Sequence, residues 1–86
     1  MTLNLPPDVT TADTEDGLVL LDQRNGRYWQ LNRTGAATLR LLLGGSTPEQ
    51  AAARLAASAP VAVDAALADV RTLIGALTSA HLVVAS

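Results

Sequence analysis

The chain has 86 residues, of which 49% are hydrophobic and 16% charged, and a net charge of −2. That length makes one small domain, which buries only ~60–65% of its unfolded surface and has a stability on the order of 4–13 kcal/mol; the two-lobed cleft of most independent enzymes is excluded. The apolar content argues against disorder, the lack of cysteine excludes disulfides and zinc–thiolate sites, and the absence of a long apolar span or a signal segment makes the cytoplasm the expected compartment, with no membrane partner.

Residues 1–8 read as an extended arm, because Pro6 and Pro7 cannot continue a helix and bias their predecessors away from the helical region. Residues 9–14 (VTTADT) are β-branched and half polar, which suits an edge strand. Glu15-Asp16-Gly17 is a turn. Residues 17–22 (GLVLLD) form an apolar run too short for a helix and bounded by turn residues, hence a strand. Asn25-Gly26 tolerates positive φ at both positions, which predicts a type I′ hairpin turn and makes Arg27–Leu31 the return strand. The N-terminal third is then a three-stranded antiparallel meander.

The remainder is helical. Asn32 is a good N-cap for a first helix whose apolar stripe is Ala36, Leu39, Leu42 and Leu43, and Gly44-Gly45 ends it. Thr47, Pro48 and Gln50 form an N-cap, a first-turn proline and a capping box for a second helix to about Ser58, with Ala51, Ala52 and Leu55 inward. A third helix is expected from about Val63 to Thr78. Val63, Leu67, Val70, Ile74 and Leu77 recur at the spacing of one buried face, with Ala66 and Leu73 on its shoulder. Leu82, Val83 and Val84 close the chain as an extended apolar segment. Strands first and helices after is an α+β pattern. With tight connections between the helices, it is winged helix-turn-helix-like, a three-stranded antiparallel N-terminal sheet followed by three helices.

Catalytic chemistry is hard to find. His81 is the sole histidine, with no second ligand near it in sequence, and reads as a capping or surface residue. Asp13, Glu15 and Asp16 lack the spacing and closing Glu of a calcium loop. Asp64 and Asp69 lie about 140° apart around a helix, too splayed to act as a pair. Gly44-Gly45-Ser46 is too short for a phosphate loop and lacks its lysine. No catalytic residue, cofactor or metal is expected. A winged-helix shape raises DNA binding as an alternative, but the third helix sets Arg71 against Asp64 and Asp69, and the second sets Arg54 against Glu49. Counterion release requires several cations on the docking face, so nucleic acid is not the expected partner.

What remains is a binding surface. The third strand is a sheet edge unless something covers it, and edge strands expose a row of unpaired N–H and C=O groups. This one, RYWQL, carries both large aromatics of the chain. An extended peptide adding there takes affinity from main-chain hydrogen bonds and specificity from pockets. Alternation puts Trp29 with Leu31 on one face and Tyr28 with Gln30 on the other, so at least one aromatic leaves the core face.

Three stretches carry a family resemblance: Gly17–Asp22, the run Gly26-Arg27-Tyr28-Trp29-Gln30-Leu31-Asn32-Arg33-Thr34-Gly35-Ala36, and Leu42-Leu43-Gly44-Gly45 with Thr47-Pro48-Glu49. Ala52-Ala53-Arg54-Leu55, Asp69-Val70 and Leu82-Val83 extend it. Together they resemble PqqD-like proteins, the recognition elements used in making ribosomally synthesised, post-translationally modified peptides. The junction Y-x-x-L-N-x-T-G-A is the most specific piece, and the likeness covers residues 9–84, the expected recognition domain. The length and wording are most similar to the stand-alone recognition protein of split lasso-peptide systems. His81 departs from the pattern, which commonly has Gly before the final apolar pair.

The resemblance implies a noncatalytic protein that binds the leader of a precursor peptide along the third strand, in a groove against the third helix. It also implies delivery to a leader peptidase, with a cyclase acting afterwards. Carried to this chain, Arg27, Tyr28, Trp29, Gln30 and Leu31 supply the strand edge. Leu67, Asp69, Val70, Leu73, Ile74 and Leu77 supply the helix side. Asp69 and Leu73 lie on one shoulder of that helix and Leu67 and Arg71 on the other, and sequence leaves open which shoulder lines the groove. Arg24, Arg27 and Arg33 would favour acidic leader residues.

Overall fold

The computed structural model describes residues 2–85. Its elements run β1 (Leu3–Asn4), β2 (Val9–Thr14), β3 (Gly17–Asp22), β4 (Arg27–Asn32), α1 (Arg33–Leu43), α2 (Pro48–Ser58), α3 (Val63–Ser79) and β5 (Val84–Ala85). β2, β3 and β4 form an antiparallel sheet in that order, with β3 central and β4 an edge. The α+β, winged helix-turn-helix-like expectation holds. The meander and the three helices lie where the local signals put them.

The opening segment is extended as expected, but it is part of the domain. β1 pairs antiparallel with β5, Leu3 opposite Ala85 and Asn4 opposite Val84. Leu3 is only 1% exposed and sits in the same core as Leu82 and Val83. Two-residue strands carry little local signal, so this ribbon exists because burial of Leu3, Leu82 and Val83 brings the chain ends together. Leu3 thus ties the opening segment to the core.

The β3–β4 turn also differs from expectation. Gly26 has φ 64, but Asn25 does not take a positive φ, so a type I′ turn does not form. A four-residue connection, residues 23–26, is organised instead by the Asp22 carboxylate. That carboxylate accepts from the Arg24 and Asn25 backbone N–H groups at 3.2 and 3.3 Å, from Asn25 Nδ2 at 2.9 Å and from Arg27 Nη2 at 3.3 Å. A buried carboxylate with several donors outweighs the local preference of an Asn-Gly pair. At the other end of β3, Gly17 has φ 153, and a Cβ there would collide with the Leu31 carbonyl oxygen of β4.

The helix caps follow sequence closely. Asn32 Oδ1 accepts from the Gly35 N–H at 2.8 Å, and Thr47 and Gln50 complete a capping box. α1 ends with Ser46 N–H donating to Leu41 O and Gly45 N–H to Leu42 O, with Gly45 left-handed. α3 ends the same way: Leu82 N–H donates to Leu77 O, His81 N–H to Thr78 O, and His81 takes φ 59. This motif places its left-handed residue where glycine is usual, so His81 serves as the capping residue in glycine's place.

α1 packs on β3 and β4, α2 on α1, and α3 along α2. Ala36, Leu39 and Leu42 of α1, Ala51 and Ala52 of α2, and Ala66, Val70 and Leu77 of α3 meet Leu18, Leu20 and Leu31 of the sheet in one core. The buried line on α3 is rotated from the expected one. Ala66 is buried, Val63 is exposed, and Leu67, Leu73 and Ile74 are half-buried. Small Ala66 lets α3 approach its neighbours where a larger side chain would hold it off.

Candidate peptide-binding edge

β4 is uncovered. The C-terminal tail pairs with β1 rather than β4, and among the described residues no backbone hydrogen bond from outside the sheet reaches Arg27–Asn32. In an antiparallel edge strand, alternate residues turn both N–H and C=O outward, so β4 offers a ladder for a further strand. It contains no Lys and no Pro, the residues that usually blunt such an edge.

The register sets the faces. Leu20 of β3 stands opposite Trp29, and Leu18 opposite Leu31. Leu18, Leu20 and Leu31 are buried, so this is the helix-facing side. Trp29 is on it, yet is 41% exposed. The cause is the position of α3, which lies along α2 and makes no extended contact with β4. The helix-facing side of the β4 edge is thus left open beside the indole, as a trough bordered by the strand.

The trough has two fixed ends. At the start of β4, Arg27 Nη2 bonds both Asp22 Oδ2 at 3.3 Å and the Ala80 carbonyl at 3.2 Å, which ties the hairpin to the C-terminal end of α3. Asp22 is itself buried, and its carboxyl is held below its ordinary value, chiefly by the Asn25 side-chain hydrogen bond. Burial opposes that effect, and the Asn25 N–H and Arg27 reinforce it. At the far end, Asn32 opens onto a cleft of about 610 Å³. Its walls are the start of α1 (Arg33, Thr34, Gly35, Ala37, Thr38), the end of α2 (Leu55, Ser58) with Ala59 and Val61, and Ala66, Asp69 and Leu73 of α3.

The two shoulders of α3 have different surroundings. Asp69 and Leu73 line the cleft. Arg71, on the opposite flank with Leu67, pairs with Glu49 of α2 at 3.6 Å. Asp69 makes no hydrogen bond or ion pair among the described residues, so its carboxylate is available to a ligand.

The structure brings together only some of the expected site residues. Trp29, Asp69 and Leu73 border the trough or the cleft. Leu31, Val70 and Leu77 are buried in the core beneath. Ile74 is half-buried against that core, and Leu67 lies on the α2 flank. Tyr28 and Gln30 share the sheet's other face, with Leu21 and Val19, and do not line the trough. Arg27 is engaged by Asp22 and Ala80, and Arg33 Nη2 reaches the Glu15 carbonyl at 3.4 Å, so both guanidinium groups already have partners in the fold. Sequence reasoning missed Thr38, Leu55 and Val61, which line the cleft from elements distant in sequence. Thr38 gave one signal, a hydroxyl on the buried side of α1, which is satisfied by the Thr34 carbonyl at 2.8 Å. Among the described residues, no helix is long and apolar enough to cross a membrane.

The family profile of coenzyme PQQ synthesis protein D (PqqD) matches residues 17–83. A lasso peptide synthetase B1, solved in complex with the leader peptide, superposes with a TM-score of 0.93 at 34% identity, covering 99% of this chain and 100% of that one. TbiB1, solved in complex with the TbiA(beta) leader peptide, superposes with a TM-score of 0.86 at 27% identity, covering 100% of this chain and 98% of that one. No curated protein matches the sequence.

Proposed function

The chain belongs to the PqqD family, and we propose that it is a recognition module that holds the leader region of a ribosomally made precursor of the lasso class, without chemistry of its own. The observation that carries this reading is the bare β4 edge with α3 standing off from it. The leader adds as a fourth strand beside Arg27–Asn32, next to Trp29, and its end reaches the cleft walled by Asp69 and Leu73. Main-chain hydrogen bonds supply affinity without regard to sequence, and the side-chain contacts select. The two leader-bound structures of the same fold over the full chain support the same occupant. The encounter takes place in the cytoplasm, where the precursor is made. The held precursor then passes to a leader peptidase, and a cyclase acts on the released part.

The test is a titration of isotope-labelled protein with the leader half of a precursor encoded beside its gene. Amide shifts are expected in residues 27–32 and 69–73, with affinity little changed by added salt, because apolar contacts and main-chain bonds dominate. Silence of the amides of residues 27–31 at saturation would remove strand addition as the mode of binding. Affinity that fell steeply with salt would shift the weight to charge.

A further inference from the structure

Strand addition, as proposed above, accounts for one face of the incoming peptide only. A paired strand is pleated, so alternate side chains of any chain added to β4 point to opposite faces. One set enters the trough beside Trp29. The other set must land on the outer face of the sheet, next to Tyr28 and Gln30.

That face is apolar where the peptide would meet it. Tyr28 is 68% exposed and stands directly opposite Leu21, which is 40% exposed. Val19, half-buried, stands opposite Gln30 on one side and Ala12 on the other. The outward residues of β2 on that face are exposed, so no helix covers it. The patch is continuous with the open edge, because Tyr28 belongs to both. Directly opposed residues on paired strands have Cβ atoms about 4.5–5.5 Å apart and interact, most favourably as aromatic with aromatic or β-branched partners.

We propose that Tyr28, backed by Leu21, is a second specificity position, which selects an aromatic or β-branched side chain at an outward-facing position of the bound leader strand. The inference rests on strand addition and goes beyond it. The leader is then read on both faces of the sheet, with Trp29, Asp69 and Leu73 reading one set of positions and Tyr28 the alternate set. The occupant of the outer patch is the same peptide, not a further protein.

The experiment uses the full chain immobilised against displayed random peptides longer than the six-residue strand. Four variants are compared with it: Tyr28→Ala, Tyr28→Phe, Trp29→Ala and Thr10→Ala. Thr10 is the counterpart of Tyr28 on the far side of Leu21. The expected result is a consensus with apolar preferences in both alternating sets. Trp29→Ala relaxes one set, Tyr28→Ala relaxes the other, Tyr28→Phe restores it, and Thr10→Ala changes neither. A synthetic consensus peptide should bind Tyr28→Ala about two- to fivefold more weakly, with the circular dichroism spectrum unchanged. A consensus constrained in one set only, or a preference indifferent to Tyr28→Ala, overturns the proposal and leaves strand addition standing. Failure to enrich any alternating pattern overturns both. A concentration-dependent dimer that Tyr28→Ala dissolves also overturns it, because the patch would then belong to a contact between copies.

Discussion

β2 and β4 are the two edges of one sheet, paired to the same central strand, and they are unequal. Leu20 has Thr11 opposite it on one side and Trp29 on the other. β2 carries threonines and Asp13, and Arg40 of α1 reaches down to Asp13 at 2.6 Å. β4 carries the aromatics and is flanked by a helix that stands off from it. An exposed ladder of N–H and C=O groups is therefore not a site by itself. What separates the two edges is the aromatic pair on β4, beside an open helix-facing side, against the threonines and Asp13 of β2. The lesson is that α3 shapes this edge by what it leaves uncovered.

Five substitutions break or sharpen that contrast. The largest effect is expected for Gly17→Ala. Its Cβ collides with the Leu31 carbonyl on the β4 side, and its φ of 153 is poor for alanine. Denaturant melts should show a loss of about 2–3 kcal/mol, and a loss below half of that would mean β4 moves away easily. Trp29→Ala comes next. It should weaken leader binding about 30-fold, as truncation of a central aromatic anchor does, while Thr11→Ala across Leu20 should leave the affinity within about twofold, as expected away from any contact. Equal effects in calorimetric titrations would erase the distinction between the edges.

His81→Gly should act in the opposite direction. A non-glycine residue in the left-handed region costs about 1–2 kcal/mol, part of which glycine gives back through its greater freedom when unfolded. A gain of about 1 kcal/mol in thermal melts is expected. An unchanged melting temperature would show that the imidazole compensates its backbone. The smallest effect concerns the Asp22 carboxyl, which titrates below its ordinary 3.8 in the folded chain. A depressed carboxylate contributes stability that is complete above the unfolded value and disappears as pH falls through the folded one. The hairpin tie to α3 should therefore loosen only below about pH 3.8, seen as shifts of the Arg24, Asn25 and Arg27 amides. Asp22→Asn should flatten that acid limb, and an unaltered limb would assign it to other carboxyls.

Much of this was legible in the sequence because it is local. Asn32, the Thr47–Gln50 box, Gly45 and the alternation of Trp29 with Tyr28 each follow from groups within a few residues of one another, and strand parity holds in any tertiary setting. The Asn25-Gly26 turn departs from its local signal because its geometry depends on a buried carboxylate that propensity does not weigh. The β1–β5 ribbon was missed because two-residue strands have no periodicity.

The sequence by itself determined the three-stranded meander and the three helices, where the helices begin, and that the return strand carries two aromatics on opposite faces. Only the tertiary structure decided that the tail pairs with β1 and leaves β4 bare, that Asp69 and Leu73 rather than Leu67 border the cleft, and that Tyr28 lies away from the trough. The physical reason is that hydrogen bonds and pleat repeat over short distances along the chain, whereas the rotation and standoff of α3 are set by how Ala66, Val70 and Leu77 fit a core assembled from every element between β1 and β5.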